Sequence, residues 1–382
     1  MTRKIYIVAG EASGDVHGAS LVASLRERHP DWRFVGLGGE RMRAAGVELR
    51  SNLVDRSVMG FRKVLAEMGY LFGVASVFLE ELRREPPELL ILIDYPGLNL
   101  NLARMARRQR VPVVYYVCPQ VWAWAPWRIR RVARRADLLL VILPFEERLY
   151  RSVHDRVRYV GNPIFDHLVE QESTPVQPSS GPVLALFPGS RGHEVDEALP
   201  LMLRSVQPIA AARGDLAVVV SCHRPRLRGR VEAAIRESGM TVAIHEGDPH
   251  TLQRTAQVAV VVSGTATLEL AFFGTPLVVV YPVRRWERRV FGWLSVTPFI
   301  ALVNLFAGRA LVPELLVAEG EEGQVEQAVR RLLLHEPAAT VRRELHDLRE
   351  RLFQPGASAR AAAEICRVLE ESPASPESPS VS

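Results

Sequence analysis

Apolar residues fall along this chain in short unbroken runs, separated by stretches in which they recur every three or four positions. Ile5–Val8, Phe34–Leu37, Leu89–Ile93, Val113–Val117, Leu138–Leu143 and Tyr159–Val160 have the length of strands. Ser20–Arg28 and Leu100–Arg108, between them, have the period of helices. The pattern restarts at Val183–Phe187 and continues through Ala217–Ser221, Val242–Ile244, Val258–Val262 and Leu277–Tyr281. Strands that are apolar throughout and alternate with helices predict parallel sheets covered on both faces. Ligands then bind outside the carboxyl ends of the strands. Between the two sets, Glu170–Gly181 (EQESTPVQPSSG) has the composition of a linker. The expected architecture is α/β: two Rossmann-like αβα domains, 1–169 and 182–339, facing an interdomain cleft across the linker 170–181. Leu311–Glu319 and Val325–Leu334 read as helical. Thr340–Leu352 and Ala357–Leu369 read as closing helices over 340–370, and 371–382 as a disordered tail.

If ligands bind at strand ends, the polar residues just after each strand carry the information. Val258–Val262 runs into Ser263-Gly264-Thr265 and then a short helical stretch, Ala266–Phe273. Backbone amides and two hydroxyls at a helix N-terminus attract phosphate. Glu269, one turn on, has the wrong charge for phosphate but suits a pair of ribose hydroxyls. The alternative is an ordinary link, with Thr265 as N-cap and Glu269 exposed. Val183–Phe187 ends in a similar turn, Pro188-Gly189-Ser190-Arg191, where the Arg191 guanidinium fork could pair with a diphosphate. The first strand delivers Gly10-Glu11-Ala12-Ser13-Gly14-Asp15, too acidic for phosphate and better suited to hydroxyls, unless Ser13 or Asp15 simply caps the next helix. Leu89–Ile93 ends in Asp94, placed either for general-base work or to cap the helix that follows.

Composition narrows the picture. The hydrophobic fraction of 48% and charged fraction of 24% are those of a globular enzyme. Only Lys4 and Lys63 among 48 basic residues are lysines, and an Arg-rich surface with net charge +5 favours anionic partners. Cys118, Cys222 and Cys366 are scattered without metal spacing, which points to a reducing compartment. No signal peptide is visible, and no P-loop or D-x-D pair occurs, so neither a P-loop nucleotide site nor paired-aspartate metal binding is expected. Val290–Gly308 has the length of a membrane span but contains Pro298 and Asn304, so a buried or interfacial segment is expected. Ser57–Glu80, rich in Met, Phe and Leu, reads as core helix or as an acyl-chain groove. Trp122–Arg135 and Arg284–Trp293 combine Trp with Arg, as at a lipid headgroup layer.

Together these motifs resemble the lipid-A-disaccharide synthases, glycosyltransferases of two-domain (GT-B) architecture. The resemblance runs from Gly10–Asp15 through Val58-Met59-Gly60-Phe61, Val121–Trp124, Leu143–Glu146 and Pro188–Arg191. It continues to Ser263–Glu269, Asn304 with Ala307-Gly308-Arg309, and Pro313–Leu316. It departs from the family pattern at Lys63, Gly97, Cys118, Val303 and Val317. The resemblance implies transfer, with inversion, of 2,3-diacylglucosamine from UDP to 2,3-diacylglucosamine 1-phosphate, giving lipid A disaccharide 1-phosphate and UDP. It implies Asp94 as base and Glu11, Ser13, Gly14 and Met59 on the acceptor side. Ser190, Arg191, Ser263, Gly264, Thr265, Glu269, Asn304, Gly308 and Arg309 would hold UDP. No metal, cofactor or nucleic acid is implied. Contact with an anionic membrane surface, on the inner face of the cytoplasmic membrane, is expected, and a homodimer stays open. The competing readings are a UDP-N-acetylglucosamine 2-epimerase, the glycosyltransferase of peptidoglycan synthesis, and a non-catalytic membrane-surface protein.

Overall fold

The computed structural model describes residues 2–53, 63–172, 181–285, 287 and 299–371. They divide into two compact units, Met1–Asp166 with Pro355–Ser382, and His167–Gln354. The first holds a parallel sheet of β1 (Lys4–Ala9), β2 (Arg33–Gly38), β3 (Glu48–Asn52), β4 (Leu89–Ile93), β5 (Val113–Tyr116), β6 (Leu138–Val141) and β7 (Val157–Tyr159), in the order β3-β2-β1-β4-β5-β6-β7. The second holds β8 (Val183–Phe187), β9 (Ala217–Ser221), β10 (Ala243–His245), β11 (Val258–Val262), β12 (Leu277–Pro282) and β13 (Glu314–Val317). Their order is β10-β9-β8-β11-β12-β13, again all parallel.

The central strands are apolar because helices cover both of their faces; every residue of β4 is fully buried. Each sheet reverses its direction of growth once, between β1 and β4 and between β8 and β11. At these reversals the loops leaving the two strands diverge and open a crevice at their carboxyl ends. The registers Ala9↔Ile93 and Val261↔Phe187 bring those ends level. The four loops that leave them carry Gly10–Asp15, Asp94, Pro188–Arg191 and Ser263–Thr265.

Two strands depart from expectation. β3, sequence ELRSN, has no apolar run; it is recruited at the edge by pairing with β2 and by the Arg33 fork on Glu48 at 2.8 and 2.9 Å. Leu311–Glu319, expected to be helical, contains β13 instead. Its apolar positions fit either period, and pairing of Leu315 and Leu316 with Val280 and Tyr281 decides for a strand.

The closing helices also divide. His335–Leu352 belongs to the second unit, whereas Ala357–Glu371 returns to the first and packs on the helix Ala12–Arg28. Asp166 fixes that return: its carboxylate accepts the amides of Gly356, Ala357 and Ser358 at 2.5, 3.1 and 2.9 Å. The expected linker lies mostly outside the described residues, and its first three, Glu170–Glu172, continue the helix Ile164–Glu172. The tail 372–382, Met59, most of Arg284–Trp293 and the first nine residues of Val290–Gly308 also lie outside them.

A charged carboxylate satisfying three orphan amides contributes more than a single cap. Asp166→Ala should lower unfolding stability by roughly 2 kcal/mol and raise hydrogen exchange in 357–371. An unchanged urea midpoint would show that apolar packing alone holds this helix.

Candidate functional site

In the first unit the site grows from the end of β4. Asp94 and Tyr95 both adopt left-handed backbone, with φ of 44° and 45°. Two consecutive non-glycine residues there are strained by about 1–3 kcal/mol each. The strain is held by buried polar groups that sequence reasoning missed. The Asp94 carbonyl accepts the Tyr115 hydroxyl at 2.6 Å and the Asn99 amide at 2.8 Å. The Asp94 amide donates to the carbonyl of Val117, itself left-handed at φ 54°. Gly10 completes the turn, because a Cβ there would lie 2.3 Å from the Tyr95 ring. The loops leaving β1 and β4 are therefore in contact.

This geometry sets the chemistry of Asp94. The helix Pro96–Arg108 is entered through Tyr95, with Pro96 in its first turn and no side-chain cap, so Asp94 is not a capping residue. Burial, and then the negative charge of Glu11, push its carboxyl up to about 6, against the Tyr95 amide. Behind it Glu146 is fully buried, accepting Trp122 Nε1 at 2.8 Å and the amides of Ile142 and Leu143 at 3.2 and 3.0 Å. Burial raises Glu146 to about 7 despite those bonds. Trp122, expected at a membrane face, is thus a buried donor.

Glu11 sits at the N-cap position of Ala12–Arg28 without a side-chain cap bond, and Ser13 follows in the first turn, partly exposed. Gly14 lets that helix lie close on Ala9 and Ile93. Asp15, expected as a cap here, instead accepts Gly39, Arg41 and Met42 amides and caps the neighbouring helix Glu40–Ala44.

In the second unit two strand-to-helix turns share a pattern but not a state. After β8, the helix Gly192–Ala212 has its entry filled from within. Glu194 accepts the Ser190 and Arg191 amides at 2.9 and 3.1 Å and the Arg191 guanidinium at 3.1 Å. Gly189, at φ 105°, makes room for that carboxylate, which a Cβ would meet at 2.3 Å. After β11, the helix Thr265–Phe272 starts at Gly264 with no side-chain cap, and Thr265 is its exposed first residue rather than its N-cap. The open amides, and so the positive end of the dipole, are at the Ser263–Thr265 turn.

Glu269 lies one turn in and is 17% exposed, not a surface residue. Gln253, buried and missed by sequence, donates to its Oε2 at 2.6 Å, while His250 stands 4.0 Å away and is 3.0 Å from Asp248. Burial raises the Glu269 carboxyl, opposed by Gln253 and His250. The only advance signal for this support was Asp248-Pro249, a helix start that the structure uses as the cap of Pro249–Thr255.

Asn304 is fully buried and spent on its own loop. Its amide donates to the Val312 carbonyl and Glu314, and its oxygen accepts the Leu311 and Val312 amides. Gly308, at φ 67°, ends the helix Leu302–Ala307, which packs on Thr265–Phe272. Arg309 pairs with Glu344 at 3.3 Å on the surface.

Against known proteins, a family model described as lipid-A-disaccharide synthetase matches residues 5–366. A lipid-A-disaccharide synthase of Myxococcus xanthus is 38% identical over 373 residues, 96% of this chain and 97% of its own. Among solved structures, a putative UDP-N-acetylglucosamine 2-epimerase from Listeria monocytogenes is similar at TM-score 0.67 and 16% identity, with 97% of both chains covered. The glycotransferase of kitacinnamycin gives TM-score 0.67 at 18% identity, covering 97% of this chain and 100% of the other. These two likenesses speak to fold alone: two Rossmann-like α/β domains of the GT-B kind.

Because the folded state prefers Asp94 protonated, stability should fall as pH rises from the ordinary aspartate range through about 6, and level off above it. Asp94→Asn keeps a residue that tolerates left-handed backbone. It should be more stable than wild type at neutral pH, by on the order of 2–3 kcal/mol, and similar at pH 4. Equal urea midpoints at both pH values would remove the strain on this carboxylate.

Proposed function

The chain belongs to the lipid-A-disaccharide synthetase family, and on that premise we propose that it joins two acylated glucosamines with inversion. It is a glycosyltransferase of lipid A biosynthesis. The donor in this reading is UDP-2,3-diacylglucosamine and the acceptor 2,3-diacylglucosamine 1-phosphate. Asp94 takes the proton of the acceptor 6-hydroxyl, and the oxygen attacks the anomeric carbon as its bond to the β-phosphate breaks. UDP leaves from the opposite face. The observation that carries this reading is the Asp94 turn: a strained strand end presenting a carboxylate that burial and Glu11 push up to about 6, toward the range a general base requires.

The donor side follows from the second unit. The uncapped turn Ser263-Gly264-Thr265 stabilises the diphosphate through its amides and helix dipole. Glu269, with Oε2 engaged by Gln253, keeps Oε1 for ribose hydroxyls. Ser190 and Arg191 contribute from a turn whose amides are already filled, so Arg191 acts through its side chain. Asn304 acts by shaping the loop that carries Gly308 and Arg309. Glu11, Ser13, Gly14 and Met59 form the acceptor wall. Acylated substrates call for work at a membrane, and we place the protein peripherally on the inner face of the cytoplasmic membrane. Among the described residues no helix is long and apolar enough to cross one.

The deciding measurement is UDP release by purified protein given diacylated donor and acceptor. Conversion of plain UDP-N-acetylglucosamine to its 2-epimer instead would favour an epimerase. Asp94→Asn should lower kcat by roughly 10²–10⁴-fold with donor affinity retained. Wild-type kcat/KM should rise as pH increases through about 6, where Asp94 loses its proton. Wild-type turnover in the folded variant would exclude Asp94 as base. With no D-x-D pair in the sequence, activity should survive EDTA. An absolute Mg²⁺ or Mn²⁺ requirement would show that arginines and helix dipoles do not suffice for the leaving group.

A further inference from the structure

Sequence assigned the membrane contact to a broad Trp/Arg region, but the structure splits it. Trp122 points inward to Glu146, whereas Trp127 is 74% exposed. A short 3-10 turn, Pro126–Arg128, leads into the helix Ile129–Ala133 and then Arg134 and Arg135. Ile129, Val132 and Ala133 are buried and pin this segment to the first unit. Arg128 precedes that helix, Arg131 lies within it, and Arg134 and Arg135 follow it. With Trp127 they line a groove of about 470 Å³, within the ~300–1,000 Å³ range of ligand clefts.

We propose that this groove holds the phosphate of an anionic lipid headgroup, with Trp127 at the boundary with the acyl region. The inference rests on the membrane-surface reading above and names the site that serves it.

The charge distribution carries the argument. Several arginines elsewhere in this unit are paired with acids, among them Arg33 with Glu48 at 2.8 Å, Arg50 with Glu81 at 3.0 Å and Arg151 with Glu147 at 2.9 Å. In the groove, Arg131, Arg134 and Arg135 have no carboxylate within ion-pair reach among the described residues. The nearest acid in sequence, Asp137, is taken by Arg107 at 3.0 Å and the Val113 amide at 2.8 Å. Arg135 is tied to the Leu100 carbonyl, and burial together with Arg131, Arg104 and Arg134 lowers its pKa. A fold that gathers like charges around a concavity gains when an anion enters it, and guanidinium forks match phosphate geometry. A soluble anion would satisfy the arginines but leave no use for an exposed indole at the rim. A headgroup uses both.

The test uses the full chain and vesicles of phosphatidylcholine with and without phosphatidic acid, scored by co-sedimentation. The wild type should bind only the acidic vesicles and be released as salt screens the attraction. Arg131→Gln with Arg134→Gln, both exposed in the wild type, should weaken partitioning by roughly 5-fold each, ~30-fold together. Trp127→Ala should also weaken it. Arg330→Gln, on a helix of the second unit, should not, and turnover of detergent-dispersed substrates should be unchanged in the groove variants. Wild-type binding by the double variant would overturn the groove while sparing the membrane reading. Absence of vesicle binding by the wild type would overturn both. Displacement from vesicles by glycerol 3-phosphate at matched ionic strength would make the groove a site for soluble phosphates. Groove-dependent binding of a single-stranded oligonucleotide in place of vesicles would make it a nucleic-acid site; either result ends the lipid assignment.

Discussion

The candidate base depends on a backbone conformation that its residues disfavour. Asp94 and Tyr95 lie in the left-handed region because the Asp94 carbonyl is held by Tyr115 and Asn99 and the Tyr95 ring rests on Gly10. Each of these partners comes from a different place: β5, the helix after β4, and the loop after β1. The sheet order that sets β1 beside β4 and β4 beside β5 is therefore a condition of the turn. Strain of this size persists only where the surroundings over-determine it. The consequence is a carboxylate kept partly out of water beside Glu11, with its pKa raised to about 6.

The second unit shows how one local pattern gives two outcomes. Both β8 and β11 end in a small polar turn before a helix. Three residues past Arg191 stands Glu194, which folds back and supplies the helix N-terminus with its own anion. Three residues past Gly264 stands Thr267, whose hydroxyl donates to the Gly264 carbonyl at 2.8 Å and leaves the amides uncovered. An internal carboxylate and a bound phosphate compete for the same donors, so only the second turn is open to an external anion.

These details mark what the sequence could reveal. The central strands were legible because burial on both faces forces unbroken apolar runs; four of them, β4, β8, β9 and β11, match to the residue. Asp94 and the Ser263 turn were legible because topology places loop residues at strand ends. β3 and β13 were not, since edge pairing and the Glu314 contacts with Ile300 and Ala301 leave no periodic trace. Nor was the fate of polar side chains. Asn304, Trp122 and Asp15 each look available in sequence, yet each is spent on backbone or a buried carboxylate whose position only the fold sets. The return of Ala357–Glu371 to the first unit is of the same kind, because Asp166 meets its amides across 190 residues of chain.

Charge is also divided in a way that fits the two halves of a transfer reaction. In the first unit burial and Glu11 raise Asp94, and burial with a smaller part from Asp94 raises Glu146, so carboxylates gather at the ends of β1, β4 and β6. An arrangement of this sort costs stability and is useful only where a proton must be taken up. In the second unit the open helix end and Arg191 favour anions, while Glu269, one turn in, is held by Gln253 with His250 4.0 Å away. Exchanging the two environments would defeat both proposed tasks: a phosphate beside Glu11 and Asp94 would be repelled, and a base at a helix N-terminus would be held ionised and weak. The two Rossmann-like units thus share a fold and differ in the sign of the charge their switch points tolerate.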